Sequence, residues 1–483
     1  MHPGSVLRLL GFICLFMAAI MLLPAIVCAY YGERDGVEAF GLTILAMVVF
    51  SVCSILYATR SKELRISRRD SFLAVTLAWV VLSLFGALPY HLTGALDSFC
   101  KCFFESMSGF SAAGASIMTD IDGRMKGLLF WRSMTNWIGG MGVVLLFIAV
   151  LPALGVRGST LYEAEIVGPV KEKLMPRMRD TAIVLWGIYI GLSVLQILFL
   201  MLGGLDWFEA MTIMFATMGS AGFAPHDASI AYYGSMYVDI VCIVFMFLAG
   251  VNFSLFFRVL EGEPKRMFRD GEFRLYCIIV LASTVLVAMN LFSNGLMGAG
   301  EALHHAAFQV VSFMSTTGFV SMDYGSWPLF SQCVLYVLCY IGGCAGSTGG
   351  GMKVVRIGAM VQAFRAAITR RIHPTAMVRV HVGLIRFDST TIQAIAGFVA
   401  FYFANVLLGT LVLSLTDLDF VIVHSASLMA LGNIGMGFGG LGTSVPFSVF
   451  PDWALWFLSF LMLAGRLELF TVYALFTRDF WKR

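Results

Sequence analysis

Long apolar runs separated by short polar connections limit what this chain can fold into more than any other feature. A transmembrane helix needs about 20 mostly apolar residues. Ten segments meet that requirement, at 9–30, 39–58, 72–92, 128–154, 181–203, 236–257, 275–293, 328–364, 391–415 and 453–477. Only 13% of the residues are Asp, Glu, Lys or Arg, against about 25% in a soluble globular protein. The sequence therefore predicts an all-α membrane protein with ten transmembrane helices.

The basic residues are divided unequally between the two sides of these segments. Of the 32 Lys and Arg, 26 lie at the termini and in one set of alternate connections, five lie in the opposite set, and Arg466 lies within an apolar segment. Because Lys and Arg accumulate in cytoplasmic loops, both termini are expected in the cytoplasm. The basic residues do not form one patch, so no nucleic-acid partner is expected.

Four stretches, which follow the third, fifth, seventh and ninth segments, repeat one pattern. Each is an apolar helical stretch that ends in a short run with one glycine, and the runs read SAAG, GSAG, STTG and GNIG. The glycines are Gly114, Gly222, Gly318 and Gly435. Such an internal repeat indicates a repeated architectural unit. We predict two N-terminal helices and then four helix–pore-loop–helix units around a pseudo-fourfold central pore.

The boundaries of these units follow from the segments. We expect the two N-terminal helices in residues 1–69 and the first repeat in 70–156. The second repeat is expected in 157–270, the third, with a broken second helix, in 271–372, and the fourth in 373–483.

The glycine-containing runs are candidate ion-binding segments. Irregular backbone survives at membrane depth only where it is buried in protein or lines a water-filled path. Glycine tolerates positive φ, so that successive carbonyl oxygens can face one axis, and a ring of such oxygens can replace the hydration shell of a cation. The predicted filter residues are Ala112, Ala113, Gly114, Ser220, Ala221, Gly222, Thr316, Thr317, Gly318, Asn433, Ile434 and Gly435.

The external connections of the last three repeats contain no Lys or Arg but several acidic residues. These are Asp206, Glu209, Asp227, Glu301, Asp323, Asp417, Asp419 and Asp452. An acidic mouth would concentrate cations by electrostatic focusing. The alternative is that external loops lack positive charge because of topology alone.

This fourfold pattern resembles the superfamily of K⁺ transporters that includes TrkH, TrkG and KtrB of bacteria and HKT of plants. The runs MSGFSAAGAS, FATMGSAGF, FMSTTGF and GNIGMGFG occupy its filter positions, and the two extra N-terminal helices fit the TrkH/TrkG type. SAAG departs from the more hydroxyl-rich run usual in the first filter. The resemblance implies K⁺ uptake through a selective pore in the bacterial cytoplasmic (inner) membrane, with K⁺ at the filter as the only metal ion and no other cofactor.

A glycine-rich break, GGCAGSTGGGMK at 342–353, interrupts the eighth segment. Because neither half spans a membrane alone, we predict a loop inside the membrane that obstructs permeation and moves to open it. The candidate gate residues are Gly342, Gly343, Gly346, Ser347, Thr348, Gly349, Gly350, Gly351 and Lys353. The alternative is a static packing device that lets helices approach closely. The run is not a phosphate-binding P-loop, because Met352 follows where that motif requires lysine.

Arg466 is the one Lys or Arg deep inside an apolar segment. An intramembrane charge is costly and usually faces a cavity or a partner. The resemblance implies that Arg466 approaches the permeation path near the glycine-rich break, where a cation would raise a barrier to K⁺ and bind loop carbonyls. The alternative is an arginine that ties two helices together.

The resemblance also implies a homodimer on a cytosolic ring of TrkA-type nucleotide-binding regulatory subunits. The basic segments 155–180 and 353–390 are the expected docking surface, although topology and contact with membrane lipids would also account for their charge. A K⁺ symporter coupled to H⁺ or Na⁺ is the alternative function, with Glu468 as the main candidate for a coupling site. A membrane enzyme is not expected, since no clustered His, Asp or Ser constellation is evident.

Overall fold

The computed structural model describes residues 2–59, 67–142, 178–383, 385–441 and 445–482. Within these ranges the protein consists of helices and one two-stranded antiparallel sheet. The first ten helices are α1 (Pro3–Ile20), α2 (Leu22–Tyr31), α3 (Arg34–Thr59), α4 (Arg68–Leu92), α5 (Phe99–Phe110), α6 (Lys126–Met141), α7 (Met178–Leu202), α8 (Trp207–Met218), α9 (Met236–Ala249) and α10 (Phe253–Leu260). The remaining elements are α11 (Pro264–Arg269), α12 (Gly271–Ser293), α13 (Ala299–Met314), α14 (Leu329–Ile341), α15 (Val354–Ile372), β1 (Val380–Val382), β2 (Ile385–Phe387), α16 (Ser389–Leu413), α17 (Phe420–Gly432), α18 (Asp452–Arg466), α19 (Phe470–Ala474) and α20 (Arg478–Trp481).

Six helical stretches in the described ranges are long and apolar enough to cross a membrane. They are Pro3–Tyr31, Arg34–Ala58, Arg69–Leu92, Asp180–Leu202, Gly271–Ser293 and Ser389–Thr416. The bent pair α9 and α10 would make a seventh if it counts as one span. All of them overlap apolar segments of the sequence analysis.

Two predicted spans are not continuous helices. The segment 236–257 breaks between α9 and α10, which lie at 95° to each other. The Asn252 side chain accepts a hydrogen bond of 2.9 Å from the backbone N–H of Ser254, so a new helix starts there with its own cap. The segment 453–477 breaks after Arg466, because Glu468 and Leu469 adopt φ of 54° and 56°. A single helix was the wrong prediction in both places.

Two other predicted spans are also shorter in the structure. The segment 328–364 is divided into α14 and α15 by residues 342–353, as expected from its glycines. In the segment 128–154, helix α6 ends at Met141 and Gly142 has a φ of 86°. Residues 143–154 lie outside the described residues.

Helix α12 shows how the long helices are placed. One of its faces is exposed and apolar, and carries Ile278, Leu281, Val285, Met289 and Phe292. The opposite face is buried and carries Tyr276, Val280, Val287 and Leu291. A helix that is apolar all round belongs in an apolar solvent, so the exposed face of α12 is suited to lipid and the buried face to the protein core.

Four short helices, α5, α8, α13 and α17, have 12, 12, 16 and 13 residues. Each packs against two other helices: α5 on α4 and α6, α8 on α6 and α7, α13 on α9 and α12, and α17 on α16 and α18. At about 1.5 Å per residue they reach roughly 18–24 Å and cannot cross a bilayer core of about 30 Å. The chain must turn back within the protein after each of them.

Candidate functional site

The four short helices end in the same backbone turn. The residue that starts each predicted filter triplet has a left-handed φ: 55° at Ala112, 54° at Ser220, 61° at Thr316 and 53° at Asn433. The N–H of the next residue bonds back to the helix, as from Ala113 to the carbonyl oxygen of Ser108 at 2.9 Å. The equivalent bonds of Ala221, Thr317 and Ile434 are 2.9–3.0 Å long. This is the hydrogen bond of a Schellman C-cap. In three of the four turns the left-handed residue is Ala, Ser or Thr, for which this φ is energetically unfavourable.

The four filter glycines lie against one another's backbone. A Cβ atom on Gly114 would overlap the carbonyl oxygen of Ala221, and one on Gly222 would overlap that of Thr317. A Cβ on Gly318 would lie 3.1 Å from the backbone nitrogen of Gly435, and one on Gly435 would lie 3.0 Å from the carbonyl oxygen of Gly114. The contacts therefore close a ring in the chain order of the four predicted filter segments, and the ring is too tight for side chains.

The twelve predicted filter residues use their N–H groups and their carbonyl groups differently. The N–H groups named above turn back to the short helices. No hydrogen bond to a carbonyl oxygen of these twelve residues is found among the described residues. The four glycines line one cavity of about 220 Å³, whose other walls come from the residues that follow each triplet and from Arg132 of α6. The ring thus offers carbonyl oxygens rather than N–H donors, which is the chemistry that suits a cation.

A buried ion pair, Glu105 with Arg132, supports the first two filter segments. The Arg132 Nε lies 2.7 Å from Glu105 Oε1, and both side chains are almost fully buried. Glu105 also accepts the N–H of Ile117 at 2.8 Å, and Arg132 donates to the carbonyl oxygen of Ala224 at 3.0 Å. Each partner therefore holds the extended backbone that follows one filter glycine. The sequence analysis missed this pair; its signal was a glutamate inside the apolar run FFESMSGF.

A second polar cluster lies on the cavity side of the ring. His226 contacts Asp122 through Nδ1 and lies 3.2 Å from Glu209 through Nε2, and its ring stacks on Tyr232 at 3.6 Å. The hydrogen bond with His226 holds the pKa of Asp122 below its usual value. Asp227, which lines the cavity, accepts the N–H of Ile121 at 3.0 and 3.1 Å.

Several carboxylates of the predicted acidic mouth serve as helix caps. Asp206 accepts from the N–H of Glu209 at the start of α8, and Asp419 accepts from Val421 at the start of α17. These side chains stabilise the short helices. Their negative charge still contributes to the electrostatic potential on this side of the protein. That these residues concentrate cations remains a prediction.

The glycine loop, residues 342–353, lies on the opposite side of the ring from the cavity. The Thr348 hydroxyl is 2.7 Å from the hydroxyl of Ser220, and the Gly350 N–H donates to Thr316 Oγ1 at 2.7 Å. The Gly351 N–H donates to the carbonyl oxygen of Gly432 at 3.0 Å. The loop is therefore fastened to the second, third and fourth filter segments at once.

The glycines of this loop are required for two different reasons. Gly342, Gly346 and Gly351 have φ of 73°, 72° and 73°, where an L side chain is strained. Gly350 has no room for a Cβ, which would overlap the carbonyl oxygen of Gly432, and a Cβ on Gly349 would lie 2.7 Å from that of Ser315. Close packing thus accounts for part of the glycine content, and conformational freedom for another part.

Arg466 lies at the glycine loop. Its Nη1 donates to the carbonyl oxygen of Thr348 at 3.1 Å, and its Nη2 donates to the carbonyl oxygens of Gly139 and Gly140. Arg466 therefore ties the loop to the end of α6, the helix that follows the first predicted filter segment. Lys353 adds a second cation, because its Nζ donates to the carbonyl oxygen of Gly349.

Glu468 belongs to the same region. Its Oε2 lies 2.8 Å from Nη2 of Arg356, whose guanidinium stacks over Phe398 at 3.8 Å. Glu468, Arg466 and Lys353 border a small space of about 10 Å³ beside the loop. Glu468 Oε1 is buried and has no hydrogen-bond partner among the described residues.

The basic surface predicted in residues 353–390 contains an open cleft. The cleft has a volume of about 740 Å³ and lies between α15, the β1–β2 hairpin and the start of α16. Arg370, Arg379 and Arg386 line it. The other predicted docking segment, 155–180, lies almost wholly outside the described residues. In the described ranges no group of three or more His, Cys, Asp or Glu could hold a metal ion.

The comparison with protein families settles the class of this chain. The model of the TrkH family, described as a cation transport protein, matches residues 39–482. The chain belongs to the TrkH family. It is thus a multi-pass membrane transporter and not an enzyme.

Relatives of TrkH type match over their whole length. The chain is 36% identical to the Trk system potassium uptake protein TrkH of Halomonas elongata and to that of Escherichia coli K12, in both cases over 100% of each chain. It is 30% identical to the Trk system potassium uptake protein TrkG of Escherichia coli K12, over 100% of this chain and 99% of the relative. The crystal structure of the potassium transporter TrkH from Vibrio parahaemolyticus matches with a TM-score of 0.89 and 32% identity, over 100% of both chains.

Proposed function

We propose that this chain is the K⁺-translocating subunit of a Trk-type uptake system, with a selective pore through the ring of Gly114, Gly222, Gly318 and Gly435. The observation that carries the proposal is the closed contact of four glycine backbones whose neighbouring carbonyl oxygens accept no hydrogen bond among the described residues. The relatives named above are potassium uptake proteins of the Trk system. K⁺ at the filter is the ion that the ring would bind, and no other cofactor is proposed.

The selectivity mechanism is coordination by backbone carbonyl oxygens. Each carbonyl replaces part of the water that K⁺ loses on entry. The four short helices end at the ring, and the C-terminal end of a helix carries partial negative charge. The predicted filter residues therefore surround the binding position with partial negative charges from four sides. No carboxylate lies among these residues, so K⁺ is bound weakly enough to leave.

The glycine loop is proposed as the gate and Arg466 as its charged fastening. The hydrogen bonds of Thr348 to Ser220 and of Gly350 to Thr316 put the loop directly against the filter segments. Arg466 and Lys353 add two positive charges there, which oppose the passage of a cation. Movement of Gly342, Gly346 and Gly351 would release the obstruction, because hinge positions must absorb large changes in φ and ψ.

The proposal extends to the number of membrane spans, the location of the termini and the partners of the chain. We propose ten membrane spans in two N-terminal helices and four repeats, with both termini in the cytoplasm of a bacterial inner membrane. A homodimer on a cytosolic TrkA-type nucleotide-binding ring is proposed as the assembly. The arginine-lined cleft at Arg370, Arg379 and Arg386 supports a docking role, because such a surface attracts acidic groups.

Flux measurement in liposomes tests the proposed function. Purified protein is reconstituted with and without its cytosolic partner, and the reversal potential is measured under K⁺ and Na⁺ gradients. We expect a reversal potential that follows the K⁺ gradient. A reversal potential that does not change with the K⁺ gradient would contradict the proposal.

A K⁺ symporter coupled to H⁺ or Na⁺ is the second candidate, and Glu468 is the observation that favours it. Its buried Oε1 without a partner lies beside the glycine loop, where a proton or Na⁺ could bind. In that case the reversal potential shifts with the H⁺ or Na⁺ gradient at constant K⁺, and Glu468→Gln abolishes the shift. A reversal potential that is insensitive to both gradients excludes this candidate.

A further inference from the structure

Glu272, near the start of α12, makes contacts that none of the roles above explains. Its side chain is buried, with 4% of its surface exposed. One oxygen, Oε1, accepts two backbone N–H groups: that of Ala345 at 2.7 Å and that of Val355 at 3.1 Å. Ala345 lies in the first part of the glycine loop, and Val355 lies just beyond its end. A single carboxylate oxygen on α12 therefore holds both sides of the loop.

The sequence explains why α15 depends on this contact. The first N–H groups of a helix have no partner inside the helix, and a Ser, Thr, Asp or Asn before the helix usually accepts one of them. Lys353 occupies that position before α15 and makes no side-chain cap. Glu272 supplies the missing acceptor from a distant part of the chain. A carboxylate at a helix N-terminus is also favoured by the helix dipole.

The buried carboxyl group of Glu272 makes its hydrogen bonds to backbone groups. No Lys, Arg or His nitrogen of the described residues lies within ion-pair distance of its carboxylate, and the ammonium group of Lys353 is directed at the carbonyl oxygen of Gly349 instead. A buried carboxyl group without hydrogen bonds is costly, so the bonds to Ala345 and Val355 offset part of the cost of burying Glu272. The two N–H groups are therefore strongly held to α12.

We propose that Glu272 is a positioning residue that fastens the glycine loop in its closed arrangement and thereby sets how readily the path opens. This inference rests on the proposed role of the loop as a gate. Between the two fastened residues lie Thr348 and Gly350, which contact the filter segments. Movement of these two residues away from the filter strains or breaks the bonds to Glu272. Weakening those bonds shifts the loop toward its released arrangement.

Cys344 provides a test that does not depend on ion conduction. This cysteine is fully buried, precedes Ala345, and donates its N–H to the carbonyl oxygen of Gly250 at 2.9 Å. Modification of Cys344 by a water-soluble thiol reagent is followed by peptide mass spectrometry in the full-length protein. In Glu272→Leu we expect the rate to rise by at least roughly tenfold, because the substitution removes both hydrogen bonds. Glu272→Gln keeps an acceptor oxygen, and its rate should lie between Glu272→Leu and the wild type.

The control for this test is Glu301→Leu. It makes the same change at an exposed glutamate in the first turn of α13. Its Cys344 rate should equal that of the wild type. Equal rates in the wild type, Glu272→Leu and Glu272→Gln would overturn the proposal.

Single-channel recording gives the second arm. A fastening role predicts that the open probability increases in the order wild type, Glu272→Gln, Glu272→Leu. A purely structural role predicts less folded protein with no increase in opening, and that result would also overturn the proposal. If the wild type conducts no K⁺ under any condition, the proposed function fails, while the Cys344 rates still report whether Glu272 holds the loop.

Discussion

Arg466 donates a hydrogen bond of 3.1 Å to the carbonyl oxygen of Thr348, and through it the C-terminal end of α18 holds the centre of the loop between α14 and α15. The same guanidinium reaches the end of α6 through Gly139 and Gly140. An arginine in this position adds positive charge and fastens the loop at the same time.

Replacement of Arg466 by alanine should raise K⁺ flux. The loop loses a charge-assisted hydrogen bond, and the path loses a positive charge. We expect open probability to rise by roughly tenfold, measured in single-channel recordings of reconstituted protein. Arg34→Ala, at the exposed start of α3, is the control and should behave like the wild type. Reduced K⁺ flux in a stable Arg466→Ala protein would count against the proposal that Arg466 opposes the passage of K⁺.

Thr348→Val removes the hydroxyl that contacts Ser220 while it keeps the shape of the side chain. The same hydroxyl also donates to the carbonyl oxygen of Ala249 at 3.2 Å. The loss of two neutral hydrogen bonds of about 1 kcal/mol each should raise open probability by roughly thirtyfold. Thr369→Val, whose hydroxyl bonds within its own helix, is the matched control. An unchanged open probability would show that this contact does not restrain the loop.

Gly222→Ala should abolish K⁺ flux. Gly222 has a φ of 78°, and a Cβ there would overlap the backbone of the third filter segment. Gly204→Ala separates backbone strain from steric overlap, because Gly204 has a φ of 91° but nothing within 4 Å of an added Cβ. We expect Gly204→Ala to cost about 1 kcal/mol of stability and to leave selectivity intact. ⁸⁶Rb⁺ uptake and thermal unfolding measure the two outcomes, and normal uptake by Gly222→Ala would refute the ring.

Arg132→Met should destabilise the protein by about 3–5 kcal/mol, because it leaves the Glu105 carboxylate buried without its partner. The double variant Arg132→Met, Glu105→Leu removes both charges and should recover much of that loss. Its K⁺ selectivity should remain impaired, because the bonds to Ile117 and Ala224 are gone. Thermal unfolding and reversal potentials are measured on the same preparations. Full selectivity in the double variant would limit the pair to a packing role.

Asp122→Asn tests the polar cluster at His226. The pKa of Asp122 is lowered in the folded protein, so its ionised form contributes stability above the unfolded pKa of about 3.9, and this contribution is lost as pH falls through the depressed value. The wild type should unfold at a higher temperature than Asp122→Asn at pH 7, and the difference should vanish in strong acid. If the difference in unfolding temperature persists in strong acid, the ionised form of Asp122 is not its cause.

Some features of the filter could be predicted from local sequence. Gly114, Gly222, Gly318 and Gly435 recur after similar apolar runs, so their common role is visible without coordinates. The left-handed φ at Ala112, Ser220 and Thr316 is not visible, because these residue types rarely adopt it. The turn is imposed by the hydrogen bonds of the helix C-terminus and by the packing around it.

Contacts between distant parts of the chain explain what the sequence analysis missed. Glu105 and Arg132 are 27 residues apart, and Glu272 and Ala345 are 73 residues apart, and each partner alone resembles an isolated charge or an ordinary loop residue. The bend at Gly250 was also missed, because hydropathy measures apolar content and not the direction of the chain. Segment 328–364 was predicted to break because its glycines are consecutive and numerous.

The ring of four glycines is made by one polypeptide, and this has a consequence for how such a path evolves. In an assembly of four identical subunits, a substitution in one subunit appears in all four. Here each quarter of the ring is encoded separately, so that one quarter can acquire a long glycine loop between the two helices that follow it without the same change in the other three. A substitution in the glycine loop therefore changes one side of the ring and leaves the sequences of the other three sides as they were.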